Sequence, residues 1–198
     1  MPTAIIVAVI VIVVLGALGA GVIALLMRGW TRDVLAGKGF RTQPLSSDRI
    51  DEYLADKGTF TVTATREFAA PPAKVWDALQ LNGTFSWLPL VNGIHYQDEA
   101  RREGALRIFD GTLFAVQERV VTLAPHQRIT TNGTTISLPV VVKSFVQDLR
   151  LTETANGTEL AWTIAFRPRI GAFLPLRWAA PFVRPFASYA LKGLAARL

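Results

Sequence analysis

The sequence predicts an α+β domain, an antiparallel sheet flanked by helices, that follows one transmembrane helix. Three observations predict this architecture. The first 27 residues carry no charged side chain, apolar and polar residues alternate from Thr59 onward, and turn dipeptides separate the later alternating segments. A chain of 198 residues has room for one domain of ordinary size and a short appendage. We therefore divide the chain into a membrane segment, a linker and one folded domain.

The N-terminal segment is an uninterrupted apolar run from Ala4 to Met27. About 20 apolar residues cross the hydrocarbon core of a bilayer as a helix, so residues 1–28 are predicted to form a transmembrane helix. A cleaved signal peptide is the alternative. The run, however, lacks a basic leading region and is longer than the usual ~7–15 residues.

The charges that follow the apolar run predict its orientation. Basic residues outnumber the single acid, Asp33, in this flank: they are Arg28, Arg32, Lys38 and Arg41. The positive-inside rule then predicts a single-pass membrane protein whose folded domain is cytoplasmic. Small residues spaced four apart would let two such helices pack closely, so a weak homodimer through this segment is an option. These pairs are Gly16 with Ala20 and Ala17 with Gly21.

The next segment, residues 29–58, is predicted to be a juxtamembrane linker that contains a short helix over Asp48–Asp56, capped by Ser47. The folded domain is predicted to span 59–198. It opens on a half-buried strand, because the apolar residues Phe60, Val62 and Ala64 alternate with threonines.

Two helices are predicted after this first strand. The motif Ala70-Pro71-Pro72 opens the first one, because proline is tolerated in the first turn of a helix. Its inward side is predicted to carry Val75, Trp76 and Leu79. A second, shorter helix is predicted over Asn82–Leu88.

The region after these helices is predicted to be almost entirely strand. The dipeptides Asp110-Gly111, Asn132-Gly133 and Asn156-Gly157 favour the positive φ angles of tight hairpins. Consecutive strands are therefore predicted to pair antiparallel. The predicted strands are Gly93–Gln97, Ala105–Phe109, Thr112–Leu123, Gln127–Thr131, Val140–Thr152 and Glu159–Arg167.

The chain ends in a predicted helix that starts near Gly171, with a break near Pro181. Residues 167–198 hold six basic side chains and no acidic one, whereas residues 28–159 balance at 15 of each sign. A basic segment rich in aromatic residues predicts contact with an anionic membrane surface. On a helical wheel Arg177, Arg184, Ser188 and Lys192 share one side, and Phe182, Phe186 and Tyr189 lie largely opposite.

Composition excludes several kinds of site. The chain has no cysteine and only two histidines, His95 and His126. Disulfides, thiolate zinc sites and a cysteine nucleophile are excluded, and no metal site or cofactor is predicted. Nucleic-acid binding is not expected, since the strands carry balanced charge and the excess basic residues lie in one apolar segment.

Several local motifs resemble one known superfamily. They are FTVTATREFAAPPAKVWDAL, FSWLPLV, EGALRIFDGT, QERVVTLAPHQRI and NGTELAWTIAFRP. Together these segments resemble the START-related helix-grip superfamily (SRPBCC), in its polyketide cyclase/dehydrase-like branch, from about Phe60 to the C-terminus. The resemblance implies a curved seven-stranded antiparallel sheet around a long C-terminal helix, with an apolar cavity between them. It implies a ligand class, namely lipids, polyketides and similar molecules, and does not specify a reaction.

If the sheet closes on the last helix, one parity of each strand faces this cavity. The polar residues with that parity are Arg107, Glu118 and Gln147, which are predicted to bind the ligand within an otherwise apolar wall. Alternatively, Arg107 and Glu118 pair with each other across neighbouring strands as a structural ion pair. No catalytic residue is assigned. The other predicted ligand-binding residues are Trp87, Phe114, Val116, Phe145, Trp162 and Phe186, with Trp87 at the cavity mouth.

These observations predict a membrane-anchored module that binds or transfers a hydrophobic, lipid- or polyketide-like small molecule. A membrane-tethered cyclase- or dehydrase-like enzyme is the alternative. An enzyme needs a proton donor or acceptor within hydrogen-bond reach of its substrate, whereas a carrier needs mainly a closed apolar volume. A third alternative, a structural protein with a collapsed cavity, would show large side chains filling that volume.

Overall fold

The computed structural model describes residues 2–56, 60–137, 142–169 and 180–198, and the side chains of all of these except 2–15, 17 and 180–182. In chain order the elements are α1 (Pro2–Leu35), β1 (Phe40–Arg41), a 3₁₀ turn (Ser47–Arg49), α2 (Ile50–Ala55), β2 (Phe60–Phe68), α3 (Pro72–Gln80), β3 (Val91–Tyr96), β4 (Leu106–Gly111), β5 (Ala115–Ala124), β6 (Arg128–Ile136), β7 (Val142–Thr154), β8 (Gly157–Pro168) and α4 (Ala180–Ala195).

One antiparallel sheet organises the domain. Its strand order is β2-β8-β7-β6-β5-β4-β3, and the two-residue β1 adds to β6 beside this path. The strands from β3 to β8 are neighbours in sequence order, and β2 joins the sheet by pairing with β8. The sheet curls around α4 as a half-barrel. The predicted seven-stranded antiparallel sheet with a C-terminal helix, an α+β helix-grip fold, is confirmed.

The strand and the helix predicted to follow the linker are both present. Side chains along β2 alternate between buried and exposed from Phe60 to Ala64. Helix α3 begins at Pro72, in its first turn, where a missing backbone N–H costs no intrahelical hydrogen bond. Its buried residues are the predicted Val75, Trp76 and Leu79. These residues place α3 on the inner face of the sheet, beside α4.

The predicted wheel for α4 is correct on its polar side and wrong at Tyr189. Arg184, Ser188 and Lys192 are exposed as predicted. Tyr189 is also 55% exposed, because the buried stripe is narrow. It consists mainly of small and aliphatic side chains, Ala187, Ala190, Leu191 and Leu194. The predicted helix start near Gly171, its Arg177 and the side chain of Phe182 lie outside the described residues. Helix α4 contains Pro185 and runs without interruption from Ala180.

Two local predictions are wrong. The Asn132-Gly133 dipeptide is no hairpin turn: it lies inside β6, which continues to Ile136. The register of the β5–β6 pair shifts beside it, between Gln117 and Glu118. The predicted helix over Asn82–Leu88 is a series of turns, since Gly83 and Phe85 have φ angles of 80° and 71°, which no right-handed helix accommodates.

The other predicted features of the connections hold with small shifts. A two-residue turn precedes Gly157, whose φ is 138°. Gly111 closes β4, and the turn itself covers 112–114. The linker helix is α2, preceded by a 3₁₀ turn whose cap is Ser46 in place of Ser47, without a side-chain capping bond.

The N-terminal segment forms the long helix α1, which joins the sheet through its last turns. Thr31 and Val34 are buried, and Val34 packs beside Thr135 at a point where Gly39 has no room for a Cβ atom. The chain then enters β1, where Phe40 pairs with Ile136. Part of the predicted membrane segment, the side chains of 2–15 and 17, lies outside the described residues. Among the residues that are described, no helix has both the length and the apolarity needed to cross a membrane.

Helix α2 covers the outer face of the sheet. Ile50 and Tyr53 pack on Val146 and Ala165, and the Tyr53 hydroxyl donates to the Ser144 carbonyl at 3.1 Å. Burial raises the pKa of Tyr53, an effect that its Ser144 hydrogen bond partly opposes. An ion-pair group, which we call the outer cluster, ties this helix to β6 and β7. It consists of Asp51, Arg128, Asp148 and Arg150.

Candidate functional site

A cavity of about 380 Å³ lies between one end of the sheet and the first turns of α4. We call this end, where β4, β6 and β8 finish and β5 and β7 begin, the mouth end. We call the opposite end the packed end. The described residues that line the cavity are almost all apolar, with Gln147 as the polar exception. They are Phe109, Phe114, Val116, Ile136, Val142, Phe145, Gln147, Trp162, Ile164, Phe166, Val183 and Phe186.

Six of the predicted site residues line this cavity: Phe114, Val116, Phe145, Gln147, Trp162 and Phe186. The strands bring them together because each has the inward parity of its strand. Their part in ligand binding stays a prediction. Arg107 and Glu118 are buried deeper on the same face, next to the cavity wall and outside its lining.

The buried polar side chains form a continuous row across the middle of the inner face, which we call the polar belt. It consists of Arg107, Glu118, Thr131, Gln147 and the indole N–H of Trp162. The register explains the row. Arg107 stands opposite Glu118 on β4 and β5, and Thr131 stands opposite Gln147 on β6 and β7. Cross-strand neighbours on one face are close enough to interact directly.

An ion pair anchors the belt. Arg107 Nε donates to Glu118 Oε2 at 2.7 Å, and the two side chains are 1% and 0% exposed. Burial lowers the pKa of Arg107, but the charge of Glu118 and its hydrogen bond more than offset this, so the pKa lies above its ordinary value. The Arg107 guanidinium therefore stays charged in the core. This geometry agrees with the structural ion pair that the sequence left open as the alternative for these residues.

The remaining belt groups complete the coordination of Glu118. The Thr131 hydroxyl accepts from Arg107 Nη2 at 3.2 Å and donates to Glu118 Oε2 at 3.1 Å. Gln147 Nε2 donates to Glu118 Oε1, and Gln147 Oε1 accepts from Trp162 Nε1 at 2.9 Å. Among the described residues, no buried side-chain nitrogen or oxygen of the belt lacks a hydrogen-bond partner. The belt therefore presents to the cavity a surface whose hydrogen-bonding groups already have partners.

Trp87, predicted at the cavity mouth, lies instead along the later turns of α4. Its indole N–H donates to the Ala190 carbonyl at 3.3 Å. The ring lies against Gly193, where any larger residue would collide with it, and the Arg197 guanidinium sits 4.4 Å from the ring centre. Trp87 thus holds the 81–90 loop to α4 and lies outside the cavity lining.

The predicted ligand-binding set omits Thr131 of the belt and half of the cavity lining. The omitted lining residues are Phe109, Ile136, Val142, Ile164, Phe166 and Val183. The omission of Ile136 follows from one error. The dipeptide Asn132-Gly133 predicts a turn, which ends the predicted strand at Thr131 and omits its continuation to Ile136. Burial along β6 does not alternate, and Ile136 faces inward with the parity opposite to Ile129 and Thr131, so no period-two pattern marked the continuation of the strand. Within the described part of the chain, no group of three His, Cys, Asp or Glu side chains is placed to hold a metal ion.

Comparison with solved structures shows what this fold is similar to. Ara h 8.0201 matches with a TM-score of 0.57 and 14% identity, over 70% of this chain and 97% of its own. The major latex-like protein 151 of Panax ginseng matches with a TM-score of 0.56 and 13% identity, over 70% and 97% of the two chains. The di-domain ARO/CYC protein BexL matches with a TM-score of 0.53 and 21% identity, over 74% of this chain and 51% of its own.

At these identities the structural matches establish the fold alone. No curated protein matches the sequence. A family model described as polyketide cyclase/dehydrase and lipid transport matches residues 59–198, which is most of the chain. The chain therefore belongs to the polyketide cyclase/dehydrase and lipid transport family, within the SRPBCC superfamily that its motifs resemble.

Proposed function

We propose that this protein is a membrane-anchored module that binds or transfers a hydrophobic, lipid- or polyketide-like small molecule. The observation that carries the proposal is the cavity of about 380 Å³ with its nearly continuous apolar lining. This volume falls within the range of ordinary small-molecule sites, roughly 300–1,000 Å³. Large side chains do not fill it, which argues against a structural protein with a collapsed core. The family description, which includes lipid transport, supports the same class of ligand.

Binding is favoured over catalysis because the polar groups of the belt already have hydrogen-bond partners within the protein. A general acid or base must reach its substrate with a free proton or a free lone pair. Glu118 instead accepts hydrogen bonds from Arg107, Thr131 and Gln147. The Gln147 amide contacts Glu118 and Trp162 on its two sides. A ligand that enters the cavity therefore meets hydrocarbon and aromatic surface, with no acid–base group among the described lining residues poised to react.

The membrane part of the proposal rests on the sequence. The run from Ala4 to Met27 is apolar and long enough to cross a bilayer, and basic residues dominate the flank that follows it. We therefore propose a single-pass anchor with the folded domain on the cytoplasmic side. Helix α1 continues to Leu35, so it would connect the anchor to the domain without an intervening flexible linker.

Native mass spectrometry of the full chain, extracted in detergent, tests the ligand proposal. We expect the wild type to carry a hydrophobic molecule that organic extraction releases. Ile164→Trp places a larger side chain in the cavity and should reduce the fraction of protein that carries the molecule several-fold. The matched control is Thr163→Val, next to Ile164 on the other face of β8, where Thr163 contacts the exposed Thr63 hydroxyl.

Equal occupancy in the wild type and Ile164→Trp would contradict binding in this cavity. If the extracted molecule is chemically altered on incubation with the wild type, and not with Ile164→Trp, the cyclase- or dehydrase-like alternative is favoured instead.

A further inference from the structure

We propose that the mouth end of the half-barrel rests on an anionic bilayer, so that the ligand enters the cavity from the hydrocarbon phase. This inference rests on the proposed function, because it requires both the anchor and a hydrophobic ligand. It adds to that function a docking surface and a route of entry. Three independent features of the mouth end support it: the attachment point of α1, exposed apolar side chains and the sign of the charges.

The attachment point of α1 lies in the wall of the cavity. Val34, fully buried, packs beside Thr135 near the end of β6. Six residues further, Phe40 begins β1 and pairs with Ile136, a residue that lines the cavity. Trp30 meets Phe40 edge to face, with ring centres 6.4 Å apart, which fixes the last turns of α1 to the same place. The helix that leads to the apolar run therefore joins the domain at the cavity.

The length of helix between the apolar run and this attachment is short. Arg28 is the first charged residue of the chain, and Val34 follows six positions later. In a helix this is a rise of about 9 Å. The opposite end of the sheet is much farther away, since β7 alone has 13 residues and spans about 40 Å. An anchored domain thus holds its mouth end near the membrane surface and its packed end away from it.

Exposed apolar side chains occur at this end of the domain. Phe40 is 38% exposed and Leu90 is 61% exposed. Leu90 precedes β3, and its carbonyl accepts from the Thr112 N–H at 2.8 Å, which places it beside the turn that carries Phe114. The last residue of α1, Leu35, is exposed as well. Apolar side chains at the rim of a cavity are suited to the interfacial region of a bilayer.

The charges of the described residues differ between the two ends. At the mouth end the acids Asp33 and Asp110 are outnumbered by basic side chains. The ion pair of Arg167 with Asp56 adds no net charge, and neither do Arg49 and Glu52, which line the same small pocket. The basic side chains are Arg32, Lys38, Arg41, Lys143, Arg169 and Arg184. At the packed end acids and bases are mixed in equal number: Glu67, Asp77, Asp98, Glu99, Glu103, Glu153 and Glu159 lie among Arg66, Lys74, Arg101, Arg102, Arg119, Lys192 and Arg197. Only the mouth end matches the negative surface of an anionic leaflet.

The absence of cysteine from the chain makes the orientation measurable. Leu113→Cys puts a label site in the mouth-end turn, and Asn156→Cys puts a matched site in the hairpin at the packed end. The full chain carries an NBD fluorophore at either site, in vesicles of phosphatidylcholine with phosphatidylglycerol and nitroxide-headgroup lipid. We expect quenching at residue 113 to be several-fold stronger than at residue 156, and to weaken when phosphatidylglycerol is omitted or salt is raised.

The route of entry is tested by moving the domain away from the bilayer. Gly29 is exposed, and a Cβ atom added there would meet no other atom within 4 Å. A 20-residue Gly/Ser insertion between Arg28 and Gly29, before the docked last turns of α1, therefore leaves the cavity and the apolar run intact. The probe is an uncharged long-chain alcohol with a diazirine group, dissolved in the bilayer. We expect crosslinks to the peptide that contains Ile164 to form several-fold more slowly in this variant. The control carries the same insertion between Ala155 and Asn156 and should behave as the wild type.

The possible failures are distinguishable. Equal quenching at both sites, or equal crosslinking rates with the protein still in the membrane, would overturn the docking proposal and leave anchored ligand binding intact. Release of the protein by an alkaline wash would refute the anchor in the proposed function. Crosslinks that avoid the cavity peptides in every variant would refute ligand binding in the cavity.

Discussion

The space between the sheet and α4 is filled at the packed end and open at the mouth end. At the packed end, α3 and the 81–90 loop insert Trp76, Leu79 and Phe85 against Leu191 and Leu194 of α4. At the mouth end, no described element plays this part, and the side chains of the sheet face Val183 and Phe186 across an open volume. The same strands build both ends, so the difference comes from what is packed on the sheet.

The polar belt marks the boundary between the two ends. Along β8 the inward residues are Phe166 and Ile164 at the cavity, Trp162 in the belt and Leu160 in the packed core. The other central strands repeat this sequence of apolar, polar and apolar positions. The belt therefore closes the inner end of the cavity, which we call the floor. Its groups hydrogen-bond to one another, and the side chains of the packed end support them from the other side.

The largest expected effect comes from breaking the Arg107–Glu118 ion pair of the belt. Glu118→Gln leaves Arg107 buried without its counter-charge, and we expect the free energy of unfolding to fall by about 3–5 kcal/mol. Urea denaturation of the full chain in detergent, followed by circular dichroism, measures this change. Replacing both residues, as in Arg107→Met with Glu118→Leu, should recover much of the loss. A loss below about 1 kcal/mol for Glu118→Gln would mean that water reaches the pair.

A second prediction compares one aromatic residue from each end. Phe85 is buried at the packed end and stacks on Trp162 with ring centres 4.8 Å apart. Phe85→Ala should lower the free energy of unfolding by about 3–5 kcal/mol, because it opens a void in packed surroundings. Phe114 borders an existing cavity and is only half-buried, so Phe114→Ala should cost about 1 kcal/mol.

The same denaturation measurement serves for both variants. Similar losses at the two positions would show that the mouth end is as tightly packed as the packed end, and would remove the distinction between them.

The smallest effect concerns the outer cluster, an ionic group that reaches the surface at Asp51 and Arg150, whereas the belt is buried throughout. The pKa of Asp51 lies below its ordinary value, mainly because Arg128 donates a hydrogen bond to it, with the charges of Arg128 and Arg150 adding to the effect. A pKa lowered by folding stabilises the protein above the unfolded value of about 3.9, and this contribution is lost as pH falls through the folded value.

The pH dependence of unfolding tests this prediction. Asp51 is 67% exposed, so Asp51→Asn should cost less than about 1 kcal/mol at pH 7, and the cost should shrink as the pH is lowered toward 3. A larger cost at pH 3 than at pH 7 would have the wrong sign for a carboxylate that is stabilised in its ionised form.

Much of the sheet could be predicted because the sequence patterns that specify its strands are local. Alternation of apolar and polar residues specified β2 and the inward sides of β5, β7 and β8, and a proline in the first turn specified the start of α3. Parity also placed Arg107 and Glu118 on one face, from which their pairing could be anticipated. The choice between a structural pair and a ligand-binding pair could not be made, since it depends on the partners Thr131 and Gln147.

The errors arose where distant contacts override local preference. Asn132-Gly133 has the composition of a tight turn, yet the Asn132 amide donates to the Leu45 carbonyl, and Gly133 lets Phe145 approach the backbone. Both contacts join segments far apart in sequence. Phe85 likewise adopts a left-handed backbone because its ring stacks on Trp162, a residue from β8. No local pattern could have shown either contact.

The pairing of β2 with β8 has a consequence for how the chain folds during synthesis. Phe68 pairs with Thr158, so β2 has left the ribosome about 90 residues before its partner exists. At typical rates of about 5–20 residues per second, this interval lasts roughly 5–20 s. Until then β2 is an unpaired edge that other nascent chains could join. Its exposed positions, Thr61, Thr63, Thr65, Arg66 and Glu67, are all polar, and Arg66 and Glu67 are charged, which disfavours such association.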